Sequence, residues 1–98
     1  MGRERARARK FLMANRGYNI LKRRTLAVFS REGDWLRPLV FAALAEWPPS
    51  QYRAAYSYLK RLHLFGLLHR RRDARGLLLY RISERGKSRL VRLNKQRR

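Results

Sequence analysis

Cysteine is absent, which removes disulfides, thiolate nucleophiles and Cys-based zinc sites together. Acidic residues are scarce. The six of them, Glu4, Glu32, Asp34, Glu46, Asp73 and Glu84, are scattered, so no pair has the spacing that general acid–base work needs and no cluster suits a carboxylate-metal nuclease. There is no glycine-rich phosphate loop and no nucleophile elbow. The expectation is a protein that is not an enzyme and needs no cofactor. Histidine is limited to His63 and His69, six residues apart with no carboxylate near them, so both read as polar surface residues within reach of phosphate rather than as metal ligands. The longest apolar run, Leu39 to Ala45, is far short of the roughly 20 residues that span a bilayer. No transmembrane segment is expected. The early arginines resemble a transit peptide, but serines are lacking and no apolar signal core follows. The reading is a cytoplasmic, nucleoid-associated protein.

Against these absences stand 26 Lys and Arg, for a formal net charge of +20. Solvated surfaces normally mix signs, and this one hardly does. Such self-repulsion calls for a polyanion, and nucleic acid is the obvious one. Ninety-eight residues, 45% of them hydrophobic, allow one domain and one modest core. The charge is unevenly spread: residues 1–24 carry nine positive charges and one negative, whereas residues 32–52 carry Arg37 alone against Glu32, Asp34 and Glu46. The middle therefore reads as scaffold and the flanks as binding surface.

Residues 1–17 read as a basic arm, with Arg3, Arg5, Arg7, Arg9 and Lys10 ahead of Phe11, Leu12 and Met13, and with Arg16-Gly17 as its punctuation. An isolated helix of this length is marginal, so ordering by DNA or a second subunit is expected. Asn19 can cap a helix over Ile20 to Arg31 that puts Leu21, Thr25 and Val28 on one face and stops at Gly33. A strand through Thr25 to Phe29 competes, because that run is short and rich in β-formers. After an extended Asp34-Trp35-Leu36 link, Pro38 suits the first turn of a helix to Trp47, with Leu39, Val40, Ala43, Leu44 and Trp47 as its buried side. Pro48-Pro49 ends it, and Ser50 can cap the next helix at once.

The helix over Ser50 to Phe65 carries the functional reading. At 100° per residue Ala55, Tyr58, Leu59 and Leu62 cluster on one side, and Arg53, Tyr56, Ser57, Lys60 and Arg61 on the other. A major groove about 12 Å wide admits one such helix, and Gln51, Tyr52 and the second set supply hydrogen bonds to bases or phosphates. Gly66 supplies a left-handed stop. His69 to Arg72 and Leu77 to Ile82 can pair as a hairpin around Asp73-Ala74-Arg75-Gly76, with Leu78, Tyr80 and Ile82 facing the core. Arg70, Arg71, Arg72 and Arg75 then sit at or near the tip, suited to phosphate or minor-groove contact. Ser83 caps a last helix whose Leu90 and Leu93 pack on the domain or on a partner subunit.

The segments YLKRLHLFGLLHRR and YRISERGKSRL look like the end of a recognition helix running into a first wing strand, and a second wing strand entering a C-terminal helix. In these the chain resembles the winged helix-turn-helix family, in particular small bacterial and archaeal regulators of the MarR and PadR type. The resemblance implies an α+β, mostly α fold: a three-helix core with a short strand at Trp35 and a β-hairpin wing, plus extra N-terminal and C-terminal helices. Residues 18–95 would form this domain and 96–98 a basic tail. It further implies a homodimeric transcription regulator on double-stranded DNA, with helix 50–65 in the major groove and wing 69–77 on the adjacent backbone or minor groove. The charge exceeds that of most such regulators, which keeps open an RNA-binding, ribosome-associated or nucleoid structural protein built on the same fold.

Overall fold

The computed structural model describes residue 17 and residues 19–96. Of the expected arm, residues 1–17, all but Gly17 lie outside them, as do the last two residues of the tail. Among the described residues the fold is α+β and mostly helical, with four helices and one two-stranded antiparallel hairpin.

Helix α1 covers residues 19–32. Its buried stripe is wider than the sequence suggests. Thr25 and Val28 lie inward as expected, but Leu26 and Phe29 are completely buried beside them. Helical periodicity, with four inward residues in five positions, overrides the β-rich composition of Thr25 to Phe29, so the strand alternative is excluded. Two expectations at its start fail as well. Gly17 and Asn19 are themselves helical and exposed, so Gly17 is no break and Asn19 is no cap. The stop is as read: Gly33 takes φ +67° and its N–H returns to the Phe29 carbonyl at 3.0 Å.

Leu36 then forms a one-residue strand. Its N–H and C=O bond Tyr80 at 2.8 and 2.9 Å, pinning the link to the far hairpin strand. The family-based position, Trp35, is off by one.

Helix α2 spans Pro38–Leu44 and is shorter than expected. Its inward residues are Phe41 and Ala42, while Leu39 and Val40 remain 57% and 43% exposed and Ala43 and Leu44 are exposed too. The expected face was wrong because Leu39 to Ala45 is apolar throughout, so the pattern carries no phase; stacking of Phe41 on Phe29, centroids 5.2 Å apart, sets it. Trp47 packs against the core from beyond the helix end.

The α2 terminus is a Schellman turn, with Trp47 N–H on the Ala42 carbonyl (2.9 Å) and Glu46 N–H on that of Ala43 (3.1 Å). This puts Glu46 at φ 59°, a left-handed conformation that costs a residue with a Cβ roughly 1–2 kcal/mol. Glu46→Gly is therefore expected to stabilise the fold by about 1 kcal/mol, less the entropy that glycine loses on folding, read as a higher midpoint in urea unfolding. An unchanged midpoint would mean that the Glu46 side chain stabilises the turn by a comparable amount.

Pro49–Gln51 form a single 3₁₀ turn, and helix α3 follows over Tyr52–Leu64. Ser50 lies within that turn and does not cap; Gln51 stands at the N-cap with no side-chain bond. The proline pair forces the tighter turn, whose Gln51 N–H reaches the Pro48 carbonyl at 2.8 Å. As expected, α3 buries Ala55, Tyr58, Leu59 and Leu62 and stops at Gly66 with φ +78°.

Strands β1 (Leu68–Arg72) and β2 (Leu78–Ile82) pair in register from Leu68 opposite Ile82 to Arg72 opposite Leu78. Tyr80 and Ile82 are buried and Leu78 half-buried on one face. Helix α4 (Glu84–Lys95) is capped by Ser83, whose hydroxyl accepts the Gly86 N–H at 2.9 Å. Leu93 is buried and Leu90 packs beside it on the core.

Candidate nucleic-acid interface

A groove of about 750 Å³ opens where three elements meet: Arg37, Pro38 and Leu39 at the start of α2, Tyr56, Ser57 and Lys60 on α3, and the distal half of the hairpin. Tyr80, only 2% exposed, and Leu78 supply its apolar hairpin wall. Arg37, Lys60, Arg70 and Arg72 supply its charge.

Strand alternation decides which arginines take part. Residues two apart share a face, so Arg70 and Arg72 line the groove while Arg71 faces away. Arg71 lies instead over the Trp35 ring, 4.4 Å from its centroid, on the opposite side of the sheet. The expectation that Arg70, Arg71, Arg72 and Arg75 act as one tip cluster is corrected accordingly. Arg75 alone of these sits in the turn.

The turn is built on Asp73. Its carboxylate accepts the N–H of Arg75 at 2.8 Å and of Leu77 at 3.0 Å, and Gly76 closes the turn at φ +81°. The Leu77 N–H above all, then the Arg75 N–H and the charges of Arg37 and Arg71, hold this carboxyl below its ordinary range against the opposing effect of burial. Arg37 donates to the other oxygen at 3.4 Å, linking the start of α2 to the hairpin tip. The Arg72 guanidinium donates to the Gly76 carbonyl at 2.6 Å, which steadies its stem beside the groove.

Of the sequence-derived site residues, Tyr56, Ser57, Lys60, Arg70 and Arg72 converge here. Gln51, at the N-cap of α3, and Arg53 and Arg61 on the helix are exposed but outside the groove lining. Tyr52 is half-buried against the core with its ring 6.3 Å from that of Tyr56, so it supports Tyr56 more than it faces a ligand. Arg3, Arg5, Arg7 and Arg9 lie outside the described residues. Arg37 escaped sequence reading. A lone cation in an acidic stretch, placed at a helix N-terminus where the dipole favours anions, is the signal that could have found it.

His63 is not a surface residue. It is half-buried with its ring edge toward Tyr80 and Nδ1 3.0 Å from the Leu68 carbonyl; a carbonyl only accepts, so Nδ1 carries the hydrogen. Among the described residues no group of three or more His, Asp or Glu could hold a metal ion, and no helix is long and apolar enough to cross a membrane. Compared with protein-family models, curated proteins and solved structures, the chain matches none.

Proposed function

We propose that this domain is a winged helix that binds duplex DNA, with α3 in the major groove and the β1–β2 hairpin as a wing on the neighbouring backbone, and that it acts as a homodimeric transcription regulator without catalytic activity. The observation that carries the reading is the groove itself. Arg37, Lys60, Arg70 and Arg72 come from three elements and surround Tyr56 and Ser57, so a phosphate backbone is gripped from several sides while hydroxyls and a ring face the bases. The Leu36–Tyr80 bridge also fits, since it supplies the third short strand that a winged helix has between its first two helices.

The test is selection of bound DNA from a random duplex pool, followed by competition with structured RNA at matched salt. Enrichment of a palindromic motif is the expected result, with α3 reading each half-site. An unenriched pool would reduce the function to phosphate counting by a nucleoid protein, and tighter binding to the RNA would transfer it to RNA, with Tyr56 placed to stack on an unpaired base.

A further inference from the structure

The groove has an apolar floor that a phosphate backbone does not use. Strand β2 lies between β1 on one side and the Leu36 bridge on the other, so its Leu78 and Tyr80 hold the middle of the surface that lines the groove. Arg70 stands directly opposite Tyr80 and Arg72 opposite Leu78, which puts both cations on the β1 edge. Arg37 follows Leu36 and therefore stands on the other edge, where its contact with Asp73 at 3.4 Å holds it. The two edges are about 10 Å apart at the backbone, twice the spacing of neighbouring strands.

The walls above this floor are apolar as well. Leu39 is 57% exposed, Leu77 43% and Tyr56 36%, and all three line the groove. Leucine side chains offer no hydrogen bond, so a phosphate laid on them loses water and gains nothing in return. A paired duplex presents phosphates, sugars and base edges and keeps its base faces stacked inside. Such a ligand satisfies the cations at the edges, yet it has no flat apolar face to lay on the floor. The volume of about 750 Å³ lies in the range of sites that enclose a small organic group, about 300–1,000 Å³.

We propose that the groove takes an unpaired nucleotide at the end of a DNA duplex, with its base over Leu78 and Tyr80 against the Tyr56 ring and its phosphates on the cations of the two edges. A base out of the stack has two flat faces that an aromatic ring covers well, and every base has them, so this capture is tied to no sequence. Tyr56 is supported for the task by the Tyr52 ring, 6.3 Å away. The protein then favours a duplex with a single-stranded overhang over a blunt one. This rests on the reading of the groove as a nucleic-acid site and adds to it the kind of DNA that fills it.

The test uses the full chain and one duplex in three forms at matched salt: blunt, with a three-nucleotide overhang, and with an abasic overhang of the same length, the last two made in both strand polarities. Anisotropy gives the affinities. In one polarity or both, the parent is expected to bind the overhang about tenfold tighter than its abasic counterpart, which carries the same phosphates and lacks only the stacking bases. Y56L should reduce that preference to less than about threefold, and Y56F, which keeps the ring, should retain it. If Y56L lowers the melting temperature, L77Q, at an exposed position of the opposite wall, carries the same expectation. Equal binding of the overhang and abasic forms, with the blunt duplex bound too, overturns the proposal and leaves the groove a duplex site. A preference for bases that survives in both Y56L and L77Q also overturns it, because the unpaired base then sits elsewhere. No binding of any form is a different outcome, which removes the groove reading and this proposal with it.

Discussion

Gly86→Ala is expected to destabilise the fold by about 3 kcal/mol, the upper end for forcing an atom into a packed site. Helix propensity alone gives the opposite sign, since alanine inside a helix is favoured over glycine by about 1 kcal/mol. Space decides. A Cβ at position 86 would overlap the Leu67 carbonyl oxygen and stand 2.8 Å from Ile82 Cγ1 and 3.1 Å from the Leu67 carbonyl carbon. Neither neighbour can retreat easily, because Leu67 is 1% and Ile82 5% exposed. The hydrogen bonds there leave little slack either. The Ser83 hydroxyl donates to the Gly66 carbonyl at 2.6 Å and accepts from Gly86 N–H, while the Ser83 N–H bonds the Leu67 carbonyl at 3.1 Å. Those bonds clamp the start of α4 onto the link between α3 and β1, so a methyl group must open the clamp or tilt α4. For a domain of this size the melting temperature should fall by about 15 °C. A fall of less than about 3 °C would show that α4 docks loosely and that the close approach at Gly86 is not required.

The same clamp shows what was legible beforehand. Ser83 as a cap, Gly66 as a stop and Asp73 to Gly76 as a turn were readable because each depends on residues within four positions of one another. The inner and outer faces of α3 were readable because apolar and basic residues alternate there with the helical period. By contrast the face of α2 was not, since a run such as Leu39 to Ala45 looks the same from every side until Phe29 selects Phe41. Gly86 reads from sequence only as a weak helix residue; its necessity appears when Leu67, nineteen positions earlier, is brought against it.

The site divides on the same line. Tyr56, Ser57 and Lys60 follow from helix period alone, and Arg70 and Arg72 from the hairpin. Separating Arg71 from those two needs only strand alternation, a rule available in the sequence. Arg37 required tertiary structure. It enters the groove because Leu36 pairs with Tyr80 and because Asp73, 36 residues away, meets its guanidinium.

The second large effect is on binding. Replacing Lys60, Arg70 and Arg72 together by glutamine is expected to weaken duplex DNA binding about 100-fold near 0.1 M salt, at roughly 1 kcal/mol for each phosphate that is no longer neutralised. The log–log salt slope should become shallower by about 2.7, the counterion release of three phosphates. Stability should hardly change, because Lys60, Arg70 and Arg72 are exposed and no residue of the core leans on their charge. Net charge by itself could mimic this result in a protein of +20, so the comparison is a variant with the same three-charge reduction elsewhere. Arg31, Arg71 and Arg81 are exposed and outside the groove lining, and their triple Gln variant should weaken binding less than about fivefold, the share due to long-range attraction. Equal weakening in the two variants would mean that DNA senses the total charge and that the groove has no privileged place. Weakening confined to the groove variant, with the shallower slope, identifies direct phosphate binding rather than a field, because a diffuse field falls with any charge removed and only a direct partner depends on which one.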